Sequence, residues 1–156
     1  MPIQCDIITQ ERTVYSEQAD YVSLPGTEGV MGILPDHSSL LTALNFGEVM
    51  IRKDGDEYYF AIGGGFAEVQ PDRVVILADS AEHADEIDTE RAQKARQRAE
   101  EAMKEGVSDD AVAYAQIEAA LRRAQIRVDV SRRRRSSKPR RRLGVPELAG
   151  EAEDES

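Results

Sequence analysis

The sequence predicts a β + α architecture: an N-terminal antiparallel β-sandwich of about ten short strands, then an antiparallel α-helical hairpin and a disordered charged tail. Three observations indicate this order. Apolar and polar residues nearly alternate in short segments as far as residue 78. After Asp79 the apolar period changes to that of a helix, and a basic block followed by an acidic block lies near the C-terminus.

The predicted strands are short and are separated by turn residues. In the first strand, Ile3, Cys5 and Ile7 share one face, while Gln4 and Asp6 share the other. Cys5 is therefore expected to be a small core residue. The predicted strands cover residues 3–8, 12–17, 19–24, 30–34, 39–44, 48–52, 57–62, 66–70 and 73–78.

Two connections carry strong turn signals. Asp54-Gly55 predicts a β-hairpin with a type I′ turn, because both residues tolerate positive φ. Pro71 sets φ for a second tight turn over residues 70–73. The glycines at 63–65 favour a strand with close backbone approach over a phosphate loop, since no Gly-Lys-Ser/Thr follows them.

Two helices are predicted after the strands. The first spans 88–105, with Asp88 or Thr89 as its N-cap and Gly106 at its end, and Ser108 or Asp109 is expected to cap the second. Each helix has one stripe of mostly small residues: Ala92, Ala95, Ala99, Ala102 and Met103 on the first, and Ala113, Ile117, Ala120, Leu121, Ala124 and Val128 on the second.

The composition of these stripes predicts a weakly attached hairpin. One buried methyl group contributes about 0.8 kcal/mol, against roughly 1.5–3 kcal/mol for a leucine-sized side chain. Helices that pack mainly through alanine therefore approach closely but are easily separated. The hairpin is therefore a candidate for an element that can separate from the sandwich.

Charge and composition exclude several classes of protein. The net charge is −10, and residues 1–90 carry 18 acidic against 4 basic groups, which disfavours nucleic-acid binding there. No apolar run approaches the roughly 18 residues of a spanning helix, and no secretory signal is expected at the N-terminus. One cysteine and two histidines argue against a disulfide framework or a metal site. No catalytic set is recognisable, so we expect no active site and no enzyme activity in this chain alone.

Several local motifs occur in a fixed order between residues 3 and 131. They are GVMGILPDH at 29–37, LLT at 40–42, GGFAEV at 64–69, VILA at 75–78 and IDTERA at 87–92. With these motifs the chain resembles the epsilon subunit of the bacterial F-type ATP synthase. The resemblance implies a non-catalytic rotor subunit of the central stalk, with residues 1–86 as the rotor-docking sandwich and residues 87–131 as a regulatory helix-turn-helix.

The resemblance also implies the partners. The sandwich would join the gamma subunit to the ring of c subunits in a proton-translocating synthase. The hairpin would either lie on the sandwich or extend toward the alpha and beta catalytic subunits and inhibit ATP hydrolysis. The chain would then be peripheral to the cytoplasmic face of the bacterial plasma membrane, reaching the membrane only through the complex, and no nucleic-acid partner is expected.

A regulatory nucleotide site is implied by the same family pattern. No cofactor is required, and ATP is the candidate regulatory ligand. Two arginines on each helix would present four guanidinium groups to a polyphosphate. The alternative is a helix cap plus surface arginines that pair with Glu100, Glu101 and Glu118. The implied nucleotide-binding residues are Glu82, Ile87, Asp88, Arg91, Ala92, Arg98, Arg123 and Arg127.

A c-ring contact loop is implied around Val30, Asp36 and His37. Two positions depart from the family pattern, since many relatives have an acidic residue in place of Val30 and glycine in place of Asp36. The alternative for His37 is a histidine bonded only within its own loop.

The tail, residues 132–156, lies beyond the resemblance. Residues 131–142 carry eight basic groups and no acidic group, and residues 143–156 carry five acidic groups and no basic group. Like-charge blocks predict disorder. The basic run is either a solvated segment, a contact for the acidic catalytic subunits, or a site for anionic lipid or nucleic acid. The last option defines the alternative function, a free-standing binding module.

Overall fold

The computed structural model of the chain describes residues 1–105 and 110–136. The predicted architecture is confirmed, since a β-sandwich is followed by two helices. In chain order the elements are β1 Ile3–Ile8, β2 Thr13–Ala19, β3 Tyr21–Gly26, β4 Gly29–Ile33, β5 Leu40–Lys53, β6 Asp56–Gln70, β7 Arg73–Ala78, β8 Ala81–His83, a 3-10 turn at Ala84–Glu86, α1 Thr89–Lys104 and α2 Ala111–Ser136.

The strands form a continuous hydrogen-bonded series. Their order is β2-β1-β7-β6-β5-β3-β4, and β8 pairs with β6. Among the described strands, every neighbouring pair is antiparallel except β1 and β7, which run parallel. The expectation of a purely antiparallel sandwich is therefore corrected. A parallel pair needs a long crossover connection, and the whole β2–β6 region supplies it.

The expected number of short strands is also corrected. The predicted strands 39–44 and 48–52 are one long strand, β5, and the predicted strands 57–62 and 66–70 are one long strand, β6. Gly63, Gly64 and Gly65 bend β6 without interrupting it, so that it pairs with β8 before them and with β7 from Gly65 onward. The prediction of a glycine-rich strand is confirmed, and φ is +97° at Gly64 and +128° at Gly65.

Three residues in turns and loops, Asp36, Asp54 and Gly55, also have positive φ. Asp54 and Gly55 have φ of 52° and 84°, as the predicted type I′ hairpin requires. Asp36 has φ of 64°. Aspartate is among the few residues other than glycine that tolerate this region.

The main core lies inside the sandwich. Its largest fully buried side chains include Phe60, Ile3, Ile7, Leu24 and Ile51. Cys5 is also buried there, as predicted, and burial raises the pKa of its thiol to about 12.

The helix caps follow the sequence in part. Asp88 caps α1, as predicted, and its carboxylate accepts a hydrogen bond from the N–H of Arg91 at 3.1 Å. The predicted cap residues Ser108 and Asp109, like Gly106, lie outside the described residues. At the described start of α2, the side chain of Asp110 accepts the N–H of Val112 at 2.9 Å.

The second helix is longer than expected. It runs to Ser136, so residues 132–136 of the expected disordered tail are helical, and residues 137–156 lie outside the description. Val130 and Ser131 are buried. Contacts with the sandwich continue past the predicted helix end, since Nε of Arg133 is 3.2 Å from a carboxylate oxygen of Glu48, and this contact supports the extra turn.

A second apolar cluster attaches the helices to the outer face of the sandwich. It consists of Ala61, Ala84, Ile87, Ala92, Val128 and Val130, with Tyr59 and Ile126 packed against it. The predicted stripes face inward, since Ala92, Ala99, Ala124 and Val128 are buried and the other stripe residues are partly buried. The hairpin packing is thus confirmed, and its centre is made of small side chains.

We predict that the bend in β6 depends on close backbone approach at Gly65. A Cβ there would lie 2.0 Å from the carbonyl oxygen of Leu77, whereas a Cβ at Gly29, with a similar φ of +134°, would meet nothing within 4 Å. Gly29→Ala should lower the free energy of unfolding by about 1–3 kcal/mol through backbone strain alone. Gly65→Ala should cost about 1–3 kcal/mol more, because the neighbouring strand must shift. Equal losses in urea denaturation would contradict this explanation.

Candidate functional site

The end of α2 presents arginine side chains to the sandwich. Arg123 and Arg127 are one helical turn apart and therefore point to the same side. Arg127 donates hydrogen bonds from Nε and Nη2 to the two carboxylate oxygens of Glu82, at 2.7 and 3.1 Å. Both side chains are partly buried, and Glu82 is held in β8 by pairing with Ala61. This bidentate pair fixes the orientation of α2 on the sheet.

Arg123 lies against an aromatic ring. Its guanidinium carbon is 5.5 Å from the centroid of Phe46, which is within the range of a cation–π contact. Phe46 is half-buried in β5. The two arginines thus contact two different strands.

A small cavity of about 50 Å³ lies between α2 and the sheet. Sites for drug-sized ligands have volumes of about 300–1,000 Å³. A nucleotide therefore cannot enter this cavity unless the helix or its arginines move. The lining residues are Phe46, Ala61, Ile62, Gly63, Ser80, Glu82, Arg123, Ile126 and Arg127.

The structure brings only part of the implied nucleotide-binding set to this cavity. Glu82, Arg123 and Arg127 line it. Ile87 and Ala92 belong to the apolar cluster beneath the helices, and Asp88 caps α1. The remaining two, Arg91 and Arg98, are exposed on α1, and Arg98 donates from Nε to the carbonyl of Lys94 at 3.4 Å.

The alternative interpretation is matched in part: Asp88 caps α1, but two of the named glutamates pair with other arginines. Glu100 pairs with Arg96 at 3.7 Å within α1, and Glu118 pairs with Arg122 at 3.8 Å within α2. Six cavity residues were not predicted from the sequence as site residues: Phe46, Ala61, Ile62, Gly63, Ser80 and Ile126. Of these residues, Gly63 carried a local signal, because it belongs to the glycine run at 63–65.

Residues 29–37, expected as a contact loop, form a second candidate site; Val30 lies in β4, and only the residues after Ile33 form a loop. Val30 is 79% exposed and Leu34 is 59% exposed. The N–H of Asp36 donates to the carbonyl of Pro71 at 2.8 Å, which ties the loop to the β6–β7 turn. His37 donates from Nδ1 to the carbonyl of Ser38 at 2.7 Å, so it has the local bond of the alternative interpretation.

An exposed apolar strip crosses three strands of the sandwich. Phe66 pairs with Leu77 on one side and with Ala43 on the other, and Leu41 lies on the same face as Ala43. Leu41, Phe66 and Leu77 are 71%, 56% and 53% exposed. Exposed apolar residues grouped in this way are typical of a protein–protein contact surface.

Within residues 1–105 and 110–136, no group of three His, Cys, Asp or Glu side chains could hold a metal ion. In the same described part of the chain, neither helix has the length and apolarity needed to cross a membrane.

Two family models match the chain in succession. The model for the ATP synthase Delta/Epsilon chain beta-sandwich domain matches residues 2–84, and the model for the Delta/Epsilon chain long alpha-helix domain matches residues 85–132.

Known relatives agree with these family models. The chain is 53% identical to the ATP synthase epsilon chain of Herpetosiphon aurantiacus, over 87% of this chain and 98% of that one. It is 50% identical to the ATP synthase epsilon chain of Dehalococcoides mccartyi, over 85% and 94% of the two chains. Its fold is similar to a chain in the Euglena gracilis mitochondrial ATP synthase OSCP/F1/c-ring structure, with a TM-score of 0.70, 27% identity and coverage of 80% and 78%.

The sandwich, the two helices and the successive family matches define the class of protein, a non-catalytic subunit of the central stalk of an F-type ATP synthase. Its relatives are bacterial epsilon chains at up to 53% identity. The chain belongs to the ATP synthase epsilon chain family. The resemblance seen in the sequence is confirmed, and the hypothesis of a free-standing binding module has no support from these matches.

We predict that the Arg127–Glu82 pair couples α2 to the sheet. A double-mutant cycle of Arg127→Ala and Glu82→Ala should give a coupling free energy of about 1 kcal/mol, because the pair is bidentate and partly buried. The exposed pair of Arg122 with Glu118 is the matched control, with an expected coupling of about 0.3–0.5 kcal/mol. Thermal unfolding of the four variants of each cycle measures both values. Equal couplings would contradict a special role for Arg127.

Proposed function

We propose that the sandwich of this chain docks on the gamma subunit and the c ring, and that its helical hairpin regulates ATP hydrolysis by leaving the sandwich. The observation that carries the proposal is the attachment of the helices, which rests on small apolar side chains and on partly exposed arginines. In this proposal the chain acts at the cytoplasmic face of the bacterial plasma membrane, as part of the synthase.

Two exposed surfaces support docking of the sandwich. The strip of Leu41, Phe66 and Leu77 fits a partner with an apolar surface, and we assign it to the gamma subunit. The exposed Val30 of β4 and Leu34 after it are assigned to the c ring. Because Val30 replaces an acidic residue, the ring contact of this chain would be more apolar than in many relatives.

The packing of the hairpin supports its mobility. Three of the six residues at the centre of the helix–sandwich cluster are alanines. Each alanine methyl contributes only about 0.8 kcal/mol. A free-energy difference of a few kcal/mol between two positions is small enough to be shifted by a ligand or partner. The folded position, in which α2 lies on the sheet, and an extended position that reaches the alpha and beta subunits would then interconvert.

ATP is the ligand that the arginines favour. In the structure Arg127 is paired with Glu82. A polyphosphate would therefore either share Arg127 with the Glu82 carboxylate or displace that carboxylate, and it would open the cavity beside Arg123. Arg91 and Arg98 on α1 would supply the remaining guanidinium groups. ATP that binds only the folded position would stabilise it by about 2.7 kcal/mol at a hundredfold excess over Kd.

Deletion of residues 88–156 should raise ATP hydrolysis by the assembled synthase while proton coupling is retained, because the sandwich would still dock. Deletion of residues 137–156 alone is the control, since it leaves both helices in place. Steady-state hydrolysis and proton pumping in membrane vesicles measure the two effects. Hydrolysis that stays the same without the helices would exclude inhibition by the hairpin.

ATP should raise the melting temperature of the isolated full chain, and Arg91→Ala should weaken the apparent ATP affinity about tenfold or more, as expected for loss of a charged hydrogen bond. Arg91 is chosen because Arg127→Ala would also remove the pair with Glu82. Arg96→Ala on the same helix is the matched control. A thermal-shift titration in which Arg91→Ala and Arg96→Ala behave alike would remove Arg91 from the ligand set.

A further inference from the structure

The last described turn of α2 continues beyond the part of the chain that matches the family. The family match ends at residue 132, whereas α2 continues to Ser136. Arg133 is the first residue after the match. It donates from Nε to a carboxylate oxygen of Glu48 at 3.2 Å, and its guanidinium carbon is 5.4 Å from the centroid of the Tyr59 ring.

The surface that receives Arg133 is formed by neighbouring strands. In the register of β5 and β6, Glu48 is opposite Ala61 and Met50 is opposite Tyr59, so these four side chains share one face. Glu48 and Tyr59 are diagonal neighbours on that face. Since Ala61 belongs to the apolar cluster under the helices, this is the face on which α2 packs.

The Tyr59 ring is held in position from its far end. Its hydroxyl donates a hydrogen bond to Glu57, and Glu57 also accepts a hydrogen bond from Arg52 at 3.2 Å. The main cause that raises the pKa of Arg133 is the nearby charge of Glu48. Arg133 therefore meets an ordered aromatic face and a carboxylate together.

The helix is close to the sheet at this point. Val128, Val130 and Ser131 are buried, and the hydroxyl of Ser131 donates to the carbonyl of Val128 at 2.7 Å. Arg133 is six residues after Arg127, which is roughly 9 Å along a helix. The contact with β5 is thus separate from the contact of Arg127 with β8.

We propose that Arg133, with Glu48 and Tyr59, is a latch that holds the hairpin in its folded position. The latch rests on the proposed function, in which the helices leave the sheet. Arg133 belongs to the first part of the basic run at 131–142, so this part of the run would hold the hairpin on the sandwich of the same chain. Release of the hairpin then requires both arginine contacts, at Arg127 and at Arg133, to break.

Hydrogen exchange of the α2 amides in the full chain tests the latch. Arg133→Glu should speed exchange about five- to tenfold, because an ion pair and a cation–π contact are lost together. Arg132→Glu is the matched control, since it makes the same charge change at the adjacent exposed position. The double variant Glu48→Arg with Arg133→Glu should restore slow exchange. Arg133→Gln is a milder variant in case the charge reversal prevents folding.

The outcomes separate the latch from the proposed function. If Arg133→Glu and Arg132→Glu speed exchange equally, or the double variant does not restore it, the latch is overturned. Fast exchange in Arg133→Glu with rescue by the double variant supports the latch. If hydrolysis by the assembled synthase stays the same in Arg133→Glu despite that result, the latch stands and the inhibitory role of the hairpin fails.

Discussion

The contact of α2 with the outer face of β5 and β6 is the constraint on which the arrangement of the helices depends. Ala61 lies at the centre of this face, and its small side chain allows the helix to approach closely. Tyr59, Glu48 and Glu82 surround it and receive the arginines of α2. The apolar centre brings the helix to the sheet, and the charged rim sets its rotation and register.

The sandwich and the attachment of the hairpin differ in how much apolar surface they bury, and this difference explains how one chain can combine a stable domain with a mobile one. The sandwich interior buries large side chains such as Phe60 and Ile76 completely, and each contributes roughly 1.5–3 kcal/mol. The hairpin is attached through fewer buried side chains, among them Ala92, Val128 and Val130. Its ion pairs to the sheet are partly exposed and contribute about 0–1 kcal/mol each. A rotor subunit needs a stable docking domain, and a regulatory element needs a small free-energy difference between its positions. The two kinds of packing supply these properties separately.

The sequence predicted local features well. Alternation placed Cys5 in the core, Asp54-Gly55 specified its turn, and Asp88 specified the start of α1. The strand count was wrong because breaks were expected at residues 45–47 and at the glycines 63–65, where β5 and β6 continue. The glycines allow β6 to change partners from β8 to β7, and that outcome depends on strands distant in the sequence.

Periodicity, turn chemistry and ordered motifs, all visible along the chain, were sufficient for the architecture and the family. The partners of the arginines were decided by tertiary contacts. Arg127 meets a carboxylate 45 residues away, and Arg133 meets one 85 residues away. Local patterns result from interactions between near neighbours, whereas such pairs form only after a helix has docked on a sheet whose register brings distant side chains together. The sandwich and hairpin could therefore be foreseen, but the attachment between them could not.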